Sequence, residues 1–359
     1  MVASVLSPID AAPQHGPRPL PLFLDMLREQ TAASPERRAA VLAGLRAYQA
    51  APRGKPRKPA PARFRKGTAR LRDYAARGTT GRAVIFIPSL INPPHILDLL
   101  PDVSLLRWLA AEGHRPFLLD WGTPGPKARD LDVTDHIARV LLPLIGKFSE
   151  PPVLVGYCLG GTMALAAACL SDVAGLALIA APWRFAGFGP AARGEIAALW
   201  AAAKPACEAM GLVPMEVLQS GFWRLDPART IAKYEAFAAL APHSDAARQF
   251  VAMEDWANAG APLPFAAGRQ LFEDFVARDL PGAAGWQIGD ATIAPAALTC
   301  PAIEFVSLND RIVPAASAAN LADRHDLGAG HVGMIVGRGA RAQLWEPLSG
   351  WLKALPRPK

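Results

Sequence analysis

The sequence predicts an α/β domain with a mostly parallel sheet, helices on both faces and an inserted cap. Short, wholly apolar runs recur along the chain, and such runs are typical of strands that are covered on both faces. Helical segments separate these runs, which favours parallel pairing through right-handed crossovers. The alternation is lost from Pro182 to about Gly285 and then returns. We therefore interpret the interrupted stretch as an insertion into the sheet domain.

Each element follows from its own local pattern. The predicted strands are Ala83–Ile87, Pro116–Leu119, Val153–Val155, Gly175–Ala180 and Ala302–Ser307. The predicted helices of the sheet domain are Ser104–Glu112, Asp130–Ile145 (which Pro143 is expected to end or kink), about Ala315–Asp323 and Gln343–Lys353. The insertion is predicted to hold helices at Gly194–Ala203, Pro227–Ala238 and Gly268–Ala277. The short segment Arg324–Gly330 is expected to leave little room for a final strand.

The N-terminal region precedes this pattern and differs from it. It begins with a Pro-rich stretch, Met1–Leu20, that we expect to be poorly ordered. Helices are predicted at Leu20–Gln30 and Ser34–Ala51, because Ser34 is a good cap before Pro35. The predicted organisation is an N-terminal helical and basic segment (1–80), a first core part (81–183), a cap insertion (184–286) and a second core part (287–359).

Composition limits the classes of protein to consider. The 359 residues are half apolar, and the four cysteines follow neither metal-ligand nor disulfide-framework spacing. Met1–Gln14 lacks the pattern of a signal peptide, and no apolar stretch reaches the roughly 20 residues of a membrane span. We therefore expect a cytoplasmic protein in a reducing compartment, where a free cysteine nucleophile persists.

The net charge of +7 is concentrated in one segment. The segment from Arg53 to Arg72 contains nine basic residues and no acidic one. One interpretation is a solvated linker. The other is an electrostatic patch for an anionic surface, namely CoA phosphates, a granule or membrane surface, or nucleic acid. Phe64 is the only aromatic residue in the segment, which weakens the nucleic-acid version.

The most informative motif lies at Leu154–Ala164, which reads LVGYCLGGTMA. A buried strand, a glycine turn and a small-residue helix form the setting of the nucleophile elbow, G-x-S-x-G, and here Cys158 takes the nucleophile position. Gly156 and Gly160 are expected because side chains there would collide in so tight a turn. A helix N-terminus favours thiolate over thiol. The alternative is an ordinary buried cysteine on a Gly-rich turn.

A cysteine nucleophile needs a base, and the base needs an orienting acid. His331 follows Gly330 in a Gly-rich loop, and Asp310 directly follows a predicted buried strand. The order Cys158, Asp310, His331 is that of nucleophile, acid and base in α/β hydrolases. Alternatively, His331 is a loop histidine with structural partners, and Asp310 is a turn or helix-cap residue.

Other polar residues compete for these roles. Asp120 also ends a predicted strand and is the rival acid, although a structural contact beside Trp121 fits it better. His114 is expected to be a partner of a helix C-terminus, and His95 could line the pocket. The oxyanion of an attacked thioester needs two backbone N–H donors, which we predict to be Leu159 and, from the loop Ser89–Asn92, Ile91.

Taken together, the motifs resemble the polyhydroxyalkanoate synthase family of the α/β-hydrolase superfamily. The resemblance covers roughly Ala83 to Gly337. It rests on these motifs: IPSLIN (87–92) before ILDL (96–99), SLLRWL (104–109), DWG (120–122), GYCLGGT (156–162), NDRIVP (309–314) and GHVGM (330–334). The segment Pro93-Pro94-His95 departs from the basic and tyrosine residues usual before ILDL.

The resemblance implies transfer of 3-hydroxyacyl groups from CoA thioesters onto a hydroxyl acceptor. Cys158 would carry the acyl chain, His331 would deprotonate the thiol or the incoming hydroxyl, and Asp310 would support His331. The substrate would be a CoA thioester, with no further cofactor and no metal. Implied partners are a polyester chain or granule surface and a second copy or second synthase subunit, and we expect no nucleic acid.

Two other functions stay open. A Cys-dependent α/β hydrolase, either a thioesterase or an esterase of polyester oligomers, would use the same three residues with water in place of the hydroxyl. A dry, capped tunnel would favour transfer, and an open, wet pocket would favour hydrolysis. A non-enzymatic, basic, granule- or nucleic-acid-associated protein would bind in a salt-sensitive way through Arg53–Arg72.

Overall fold

The computed structural model describes residues 15–54, 57–76 and 78–356. The predictions for Met1–Gln14 lie outside these residues. The described chain forms two compact units. The helical unit combines the residues up to 54 with Asp226–Asn258, and the sheet unit holds the rest.

An eight-stranded sheet organises the sheet unit. In chain order its strands are β1 (Ala62–Lys66), β2 (Ala69–Asp73), β3 (Ala83–Ile87), β4 (Arg115–Asp120), β5 (Val153–Tyr157), β6 (Gly175–Ile179), β7 (Ala302–Ser307) and β8 (Asp323–Leu327). Their spatial order is β1-β2-β4-β3-β5-β6-β7-β8. The hairpin β1–β2 pairs antiparallel with β4, and all the other neighbours are parallel. The predicted mostly parallel sheet is confirmed.

The central strands are covered on both faces. Every residue of β3, β5 and β6 is buried, as their continuous apolar sequences predict. The strand β3 lies between β4 and β5, so the chain leaves β3 toward one side and returns on the other. Ligands of open α/β sheets bind outside the carboxyl ends of the strands at such a switch point.

Helices flank the sheet and form the helical unit. In chain order they are α1 (Leu20–Gln30), α2 (Pro35–Ala50), α3 (Leu105–Ala111), α4 (the run Val133–Asp135, His136–Leu141 and Leu142–Ile145), α5 (Leu159–Leu170), α6 (Gly189–Met210), α7 (Met215–Leu225), α8 (Pro227–Ala238), α9 (Asp245–Ala257), α10 (the run Phe265–Arg269 and Gln270–Ala277), α11 (Gly333–Val336) and α12 (the run Arg341–Trp345 and Glu346–Ala354). Single 3₁₀ turns lie at Pro94–Leu97, Pro126–Ala128, Phe185–Phe188, Pro295–Ala297 and Ala315–Ser317. Short strand pairs join Asp98–Leu100 to Val103–Ser104, Leu212–Val213 to Leu263–Pro264, and Gln287–Ile288 to Ala291–Thr292.

The basic segment is not a linker throughout, and the sheet begins well before residue 81. Ala69 and Leu71 alternate with arginines in β2, and both apolar side chains are buried. This period of two places the basic side chains on the other face of the strand. The predicted boundary at 80/81 missed the hairpin because its apolar positions are few.

The prediction for Ala315–Asp323 was wrong. A single 3₁₀ turn, Ala315–Ser317, replaces the helix, and β8 follows at Asp323–Leu327. Four of the five residues of β8 are exposed, because it is an edge strand with one neighbour, β7. A polar edge strand carries no apolar signal, so the expectation of little room for a final strand was wrong as well.

The helix around Pro143 continues to Ile145, two residues beyond the proline. The segment His136–Leu141 just before it is π-helical, with a wider turn. Pro143 then stands in the first turn of the closing segment Leu142–Ile145, where the absence of its N–H is tolerated.

The predicted insertion 184–286 does not stay in one unit. The helices α8 and α9 form the helical unit with α1 and α2. Tyr48 and Tyr234 meet edge to face there, with ring centroids 5.9 Å apart, and their hydroxyls donate to Asp255 at 2.7 Å and Glu254 at 2.8 Å. Sequence pattern alone does not pair helices so far apart in the chain. A capping role for 184–286 stays a prediction.

Candidate active site

Cys158 lies in the turn between β5 and α5. Its φ of 58° and ψ of −135° are a strained combination for a residue with a side chain. The Cys158 N–H donates to the Ile179 carbonyl at 3.0 Å, and its carbonyl accepts from Gly161 N–H at 2.7 Å. These bonds hold the turn, and the side chain stays partly exposed at the N-terminus of α5.

Two glycines make room for this turn. A Cβ on Gly156 would lie 2.7 Å from the Cβ of Ala164, and a Cβ on Gly160 would lie 2.6 Å from the carbonyl carbon and oxygen of Pro88. Real Cβ atoms do not approach other heavy atoms so closely. The predicted steric reason for both glycines is therefore confirmed.

Asp310 and His331 form a buried pair. The His331 Nδ1 lies 2.6 Å from the Asp310 Oδ2, and both side chains are almost fully shielded from solvent. The other carboxylate oxygen, Oδ1, accepts the backbone N–H groups of Ile312 at 2.8 Å and Val313 at 3.0 Å. Asp310 thus serves the turn after β7 and orients the imidazole at the same time.

The imidazole of His331 also lies within hydrogen-bonding reach of the Cys158 thiol. Burial by itself lowers the pKa of His331, but the negative charges of Asp310 and Cys158 outweigh burial and raise it to about 10. The structure therefore favours an imidazolium beside the sulfur at neutral pH. An imidazolium stabilises negative charge on a neighbouring sulfur, which is the electrostatic requirement for a nucleophilic cysteine.

Three residues that the sequence analysis did not single out position this pair. The Tyr157 ring stacks on the His331 ring with centroids 5.1 Å apart, and its hydroxyl donates to the His331 carbonyl at 3.2 Å. The Ser307 hydroxyl donates to the Ala329 carbonyl, and the Asn309 amide donates to the Gly328 carbonyl at 2.8 Å. Tyr157 and Asn309 lie within the motifs GYCLGGT and NDRIVP, and Ser307 ends the strand before Asp310, but no sequence pattern assigned a role to any of the three.

The surroundings of the other three cysteines disfavour a thiolate. Burial raises the pKa of the thiols of Cys169, Cys207 and Cys300. A thiol with a raised pKa is a poor nucleophile near neutral pH. Selective reactivity at Cys158 is therefore expected among the four thiols.

The two predicted oxyanion donors have different surroundings. Leu159 opens α5, so its N–H belongs to the first turn, where no intrahelical carbonyl is available. The Ile91 N–H donates to the Ser89 hydroxyl at 3.1 Å. For the Ile91 N–H to donate to an oxyanion, its hydrogen bond to the Ser89 hydroxyl would have to break. Both oxyanion assignments stay predictions.

The rival polar residues have structural partners elsewhere. Asp120 accepts two hydrogen bonds from Arg72, at 2.7 and 2.9 Å, and a third from the N–H of Gly122, which agrees with the predicted structural role. The His114 Nε2 lies 2.8 Å from the Ser349 hydroxyl in α12. His95 is exposed in its 3₁₀ turn and does not line the cavity described next.

A cavity of about 580 Å³ opens at the same edge of the sheet as the Cys158 elbow. Leu90, Trp121 and Thr68 line it, from the segments after β3, after β4 and between β1 and β2. Its volume is typical of a small-molecule site. Cys158, Asp310 and His331 do not line it. The candidate active site is the Cys158 elbow, because the three residues predicted to act together, Cys158, Asp310 and His331, meet there.

Fold and site together define the class of the protein. The model of the alpha/beta hydrolase family matches residues 84–341, most of the chain. The chain therefore belongs to the alpha/beta hydrolase family.

Within that class the chain is similar to polymerases of poly(3-hydroxyalkanoate). It is 26% identical over 306 residues to the poly(3-hydroxyalkanoate) polymerase subunit PhaC of Haloferax mediterranei, a match that covers 80% of this chain and 62% of the relative. The corresponding subunit of Haloarcula marismortui is 24% identical, with 75% of this chain and 60% of the relative covered. That of Thiocystis violacea is 25% identical, with 75% and 80% covered. The resemblance to the polyhydroxyalkanoate synthases is confirmed.

The first two of these matches span about six tenths of the length of the relatives. Among residues 15–54, 57–76 and 78–356, no helix has the length and apolarity needed to cross a bilayer.

Proposed function

We propose that this chain is an acyltransferase of the polyhydroxyalkanoate synthase type. It would move 3-hydroxyacyl groups from CoA thioesters, through a Cys158 acyl-enzyme, onto a hydroxyl acceptor. The observation that carries the proposal is the buried pair of Asp310 and His331, with Nδ1 of His331 2.6 Å from Asp310 Oδ2 and the imidazole within reach of the Cys158 thiol. The similarity to poly(3-hydroxyalkanoate) polymerases supports the substrate class.

In the first half-reaction the Cys158 sulfur attacks the thioester carbonyl. A bond forms between the carbonyl carbon and Cys158, the bond to the CoA sulfur breaks, and the His331 imidazolium gives its proton to the departing CoA thiolate. The Leu159 N–H at the start of α5 is the donor best placed by topology to stabilise the transient oxyanion. His331 is left neutral, held by Asp310.

The neutral imidazole is the base that the second half-reaction needs. It takes the proton of the acceptor hydroxyl, whose oxygen attacks the acyl carbonyl and forms an ester. The bond to Cys158 breaks, and the sulfur and the imidazolium return to their starting states. The thioester-to-thioester exchange of the first half is nearly balanced in energy, so the acyl group stays activated for transfer.

The proposal is tested by CoA release from 3-hydroxybutyryl-CoA, with the acyl product identified by mass spectrometry. The wild type should release CoA and form oligoester, and Cys158→Ala should do neither. Cys207→Ala is the matched control, since Cys207 is buried in α6 and has no predicted role in the chemistry, and it should behave as the wild type does. Cys158-dependent release that yields only free 3-hydroxyacid would identify a hydrolase. Equal release by wild type and Cys158→Ala would contradict both.

A further inference from the structure

One ring nitrogen on the lining of the cavity at the carboxyl edge of the sheet has no hydrogen-bond partner among the described residues. His136 in α4 lines the cavity and is 8% exposed. Its Nδ1 lies 2.6 Å from the Asp132 carbonyl oxygen, and a carbonyl only accepts, so Nδ1 carries the hydrogen. The other ring nitrogen, Nε2, has no hydrogen-bond partner in the described part of the chain. In the neutral ring Nε2 is an acceptor, and it is available to a donor in the cavity.

Burial lowers the pKa of His136, so the ring is neutral around pH 7. The edge of the Trp121 ring packs against the imidazole, with centroids 5.7 Å apart, and the Trp121 indole donates to the Pro88 carbonyl at 3.0 Å. These contacts hold the acceptor in place. A preformed acceptor on the lining of a mainly apolar cavity is suited to a ligand hydroxyl.

The mouth of the cavity is cationic. Lys66 and Lys127 lie on its lining, both are exposed, and neither forms an ion pair among the described residues. Arg139 also lines the cavity, but its guanidinium pairs with Asp135 at 2.8 Å. None of the lining residues is acidic. The mouth therefore favours an anionic group.

The body of the cavity is apolar, with walls from Leu90, Leu131, Val140 and Leu263. An occupant thus needs an apolar chain, one hydroxyl and one anionic end. We propose that this cavity binds a hydroxyacyl chain, with its hydroxyl on His136 Nε2 and its anionic end between Lys66 and Lys127.

Cys158, Asp310 and His331 do not line this cavity, so the binding site is separate from the candidate active site. Only the source of a hydroxyacyl chain in the cell rests on the proposed function. Leu90 directly precedes Ile91, the predicted oxyanion residue, so an occupant would also contact the loop beside the elbow.

The test measures binding by isothermal titration calorimetry to the Cys158→Ala protein, so that no turnover is needed. The probes are 3-hydroxydecanoate, decanoate (which lacks the hydroxyl) and methyl 3-hydroxydecanoate (which lacks the charge). We expect one site for 3-hydroxydecanoate and about tenfold weaker binding of each of the other two, the size expected for the loss of one hydrogen bond or one charge contact.

Variants then assign each contact. His136→Phe should weaken the binding of 3-hydroxydecanoate to the affinity of decanoate and leave the affinity for decanoate unchanged. The double variant Lys66→Ala/Lys127→Ala should remove the advantage of the acid over its methyl ester. Ala261→Trp, in a loop that lines the cavity, should abolish binding of all three probes. Arg65→Ala is the matched control, on the same strand as Lys66 but off the cavity lining, and it should change nothing.

Binding that survives Ala261→Trp would overturn the location, and equal binding of 3-hydroxydecanoate and decanoate would overturn the hydroxyacyl assignment. The absence of any binding to the folded protein would overturn the site altogether. A failure of the proposed function would instead show as a wild type that does not release CoA, with the binding results unchanged.

Discussion

Replacing Gly160 with alanine tests the close packing that sets the elbow against the loop after β3. The added Cβ would meet the Ile87 carbonyl oxygen and would lie 2.6 Å from the carbonyl carbon and oxygen of Pro88. All three atoms are backbone, so no side-chain rotation relieves the contact. The loop has to move away from α5 or the helix has to shift.

Two effects oppose each other in this variant. Alanine is better than glycine inside a helix by about 1 kcal/mol. Overpacking of a rigid site costs about 1–3 kcal/mol, and occasionally more. Because all the clashing atoms are backbone atoms of Ile87 and Pro88, we expect the upper part of that range and a net loss of about 1–2 kcal/mol. For a unit of this size that lowers Tm by about 2–4 °C.

Thermal unfolding followed by circular dichroism measures the change, with Gly146→Ala as the matched control. A Cβ on Gly146 would lie 3.5 Å from the Leu142 carbonyl oxygen, an ordinary contact, and its φ is −64°. That variant should keep the wild-type Tm or raise it slightly. Gly160→Ala should also slow CoA release, because the loop that it displaces lies beside the elbow. A Gly160→Ala protein as stable as Gly146→Ala would show that the Ile87–Pro88 backbone does not confine Gly160.

Three further predictions follow from the charges and thiols. Asp310→Asn should lower kcat for CoA release by about 10³-fold, because an amide does not stabilise the His331 imidazolium, whereas Asp120→Asn should leave kcat near the wild-type value; equal losses would contradict the assignment. Burial raises the pKa of the Asp98 carboxyl group, but hydrogen bonds from its two arginine partners, Arg57 and Arg107, outweigh burial and lower the pKa. The contribution of Asp98 to the free energy of unfolding is therefore present above the unfolded-state pKa of about 3.9, and it is lost as the pH falls through the lower folded-state pKa. In urea unfolding, Asp98→Asn should therefore cost about 1.5–3 kcal/mol at pH 7, and the difference should shrink below about pH 4; a pH-independent difference would contradict this. Iodoacetamide at pH 7 should alkylate Cys158 before the other three cysteines, as peptide mapping would show, and earlier labelling of Cys169, Cys207 or Cys300 would contradict this order.

The elements that the sequence predicted well are those whose pattern is local. The strand Ala83–Ile87 and the helix Pro227–Ala238 have the predicted ends, because a continuous apolar run fixes the first and an Asp226 cap before Pro227 fixes the second. The elbow was predictable for the same reason. Its glycines, its cysteine and its strand–helix setting are all adjacent in the chain.

The elements that were missed depend on distant partners. The strand Asp323–Leu327 is polar and exists because β7 offers it a hydrogen-bonding edge. The arginine-rich hairpin joins the sheet because Ala69 and Leu71 bury themselves against it. Likewise, the sequence is compatible with helices at α8 and α9, but their packing with α1 and α2 depends on tertiary contacts between distant parts of the chain.

The same distinction applies to the site. The order of Cys158, Asp310 and His331 along the chain was enough to predict that strand ends would bring them together. The second role of Asp310 as an acceptor for the Ile312 and Val313 N–H groups was not predictable, and neither was the bond from Ile91 to Ser89. Both depend on loop conformations that no local pattern specifies.

The most direct test of the central claim is the intact-protein mass after brief mixing with 3-hydroxybutyryl-CoA and acid quenching. If Cys158 carries the acyl group, the protein gains the mass of one or more 3-hydroxybutyryl groups, mapped by peptide fragmentation to Cys158 and absent in Cys158→Ala. CoA release without any adduct on Cys158, or an adduct that persists in Cys158→Ala, would contradict the account.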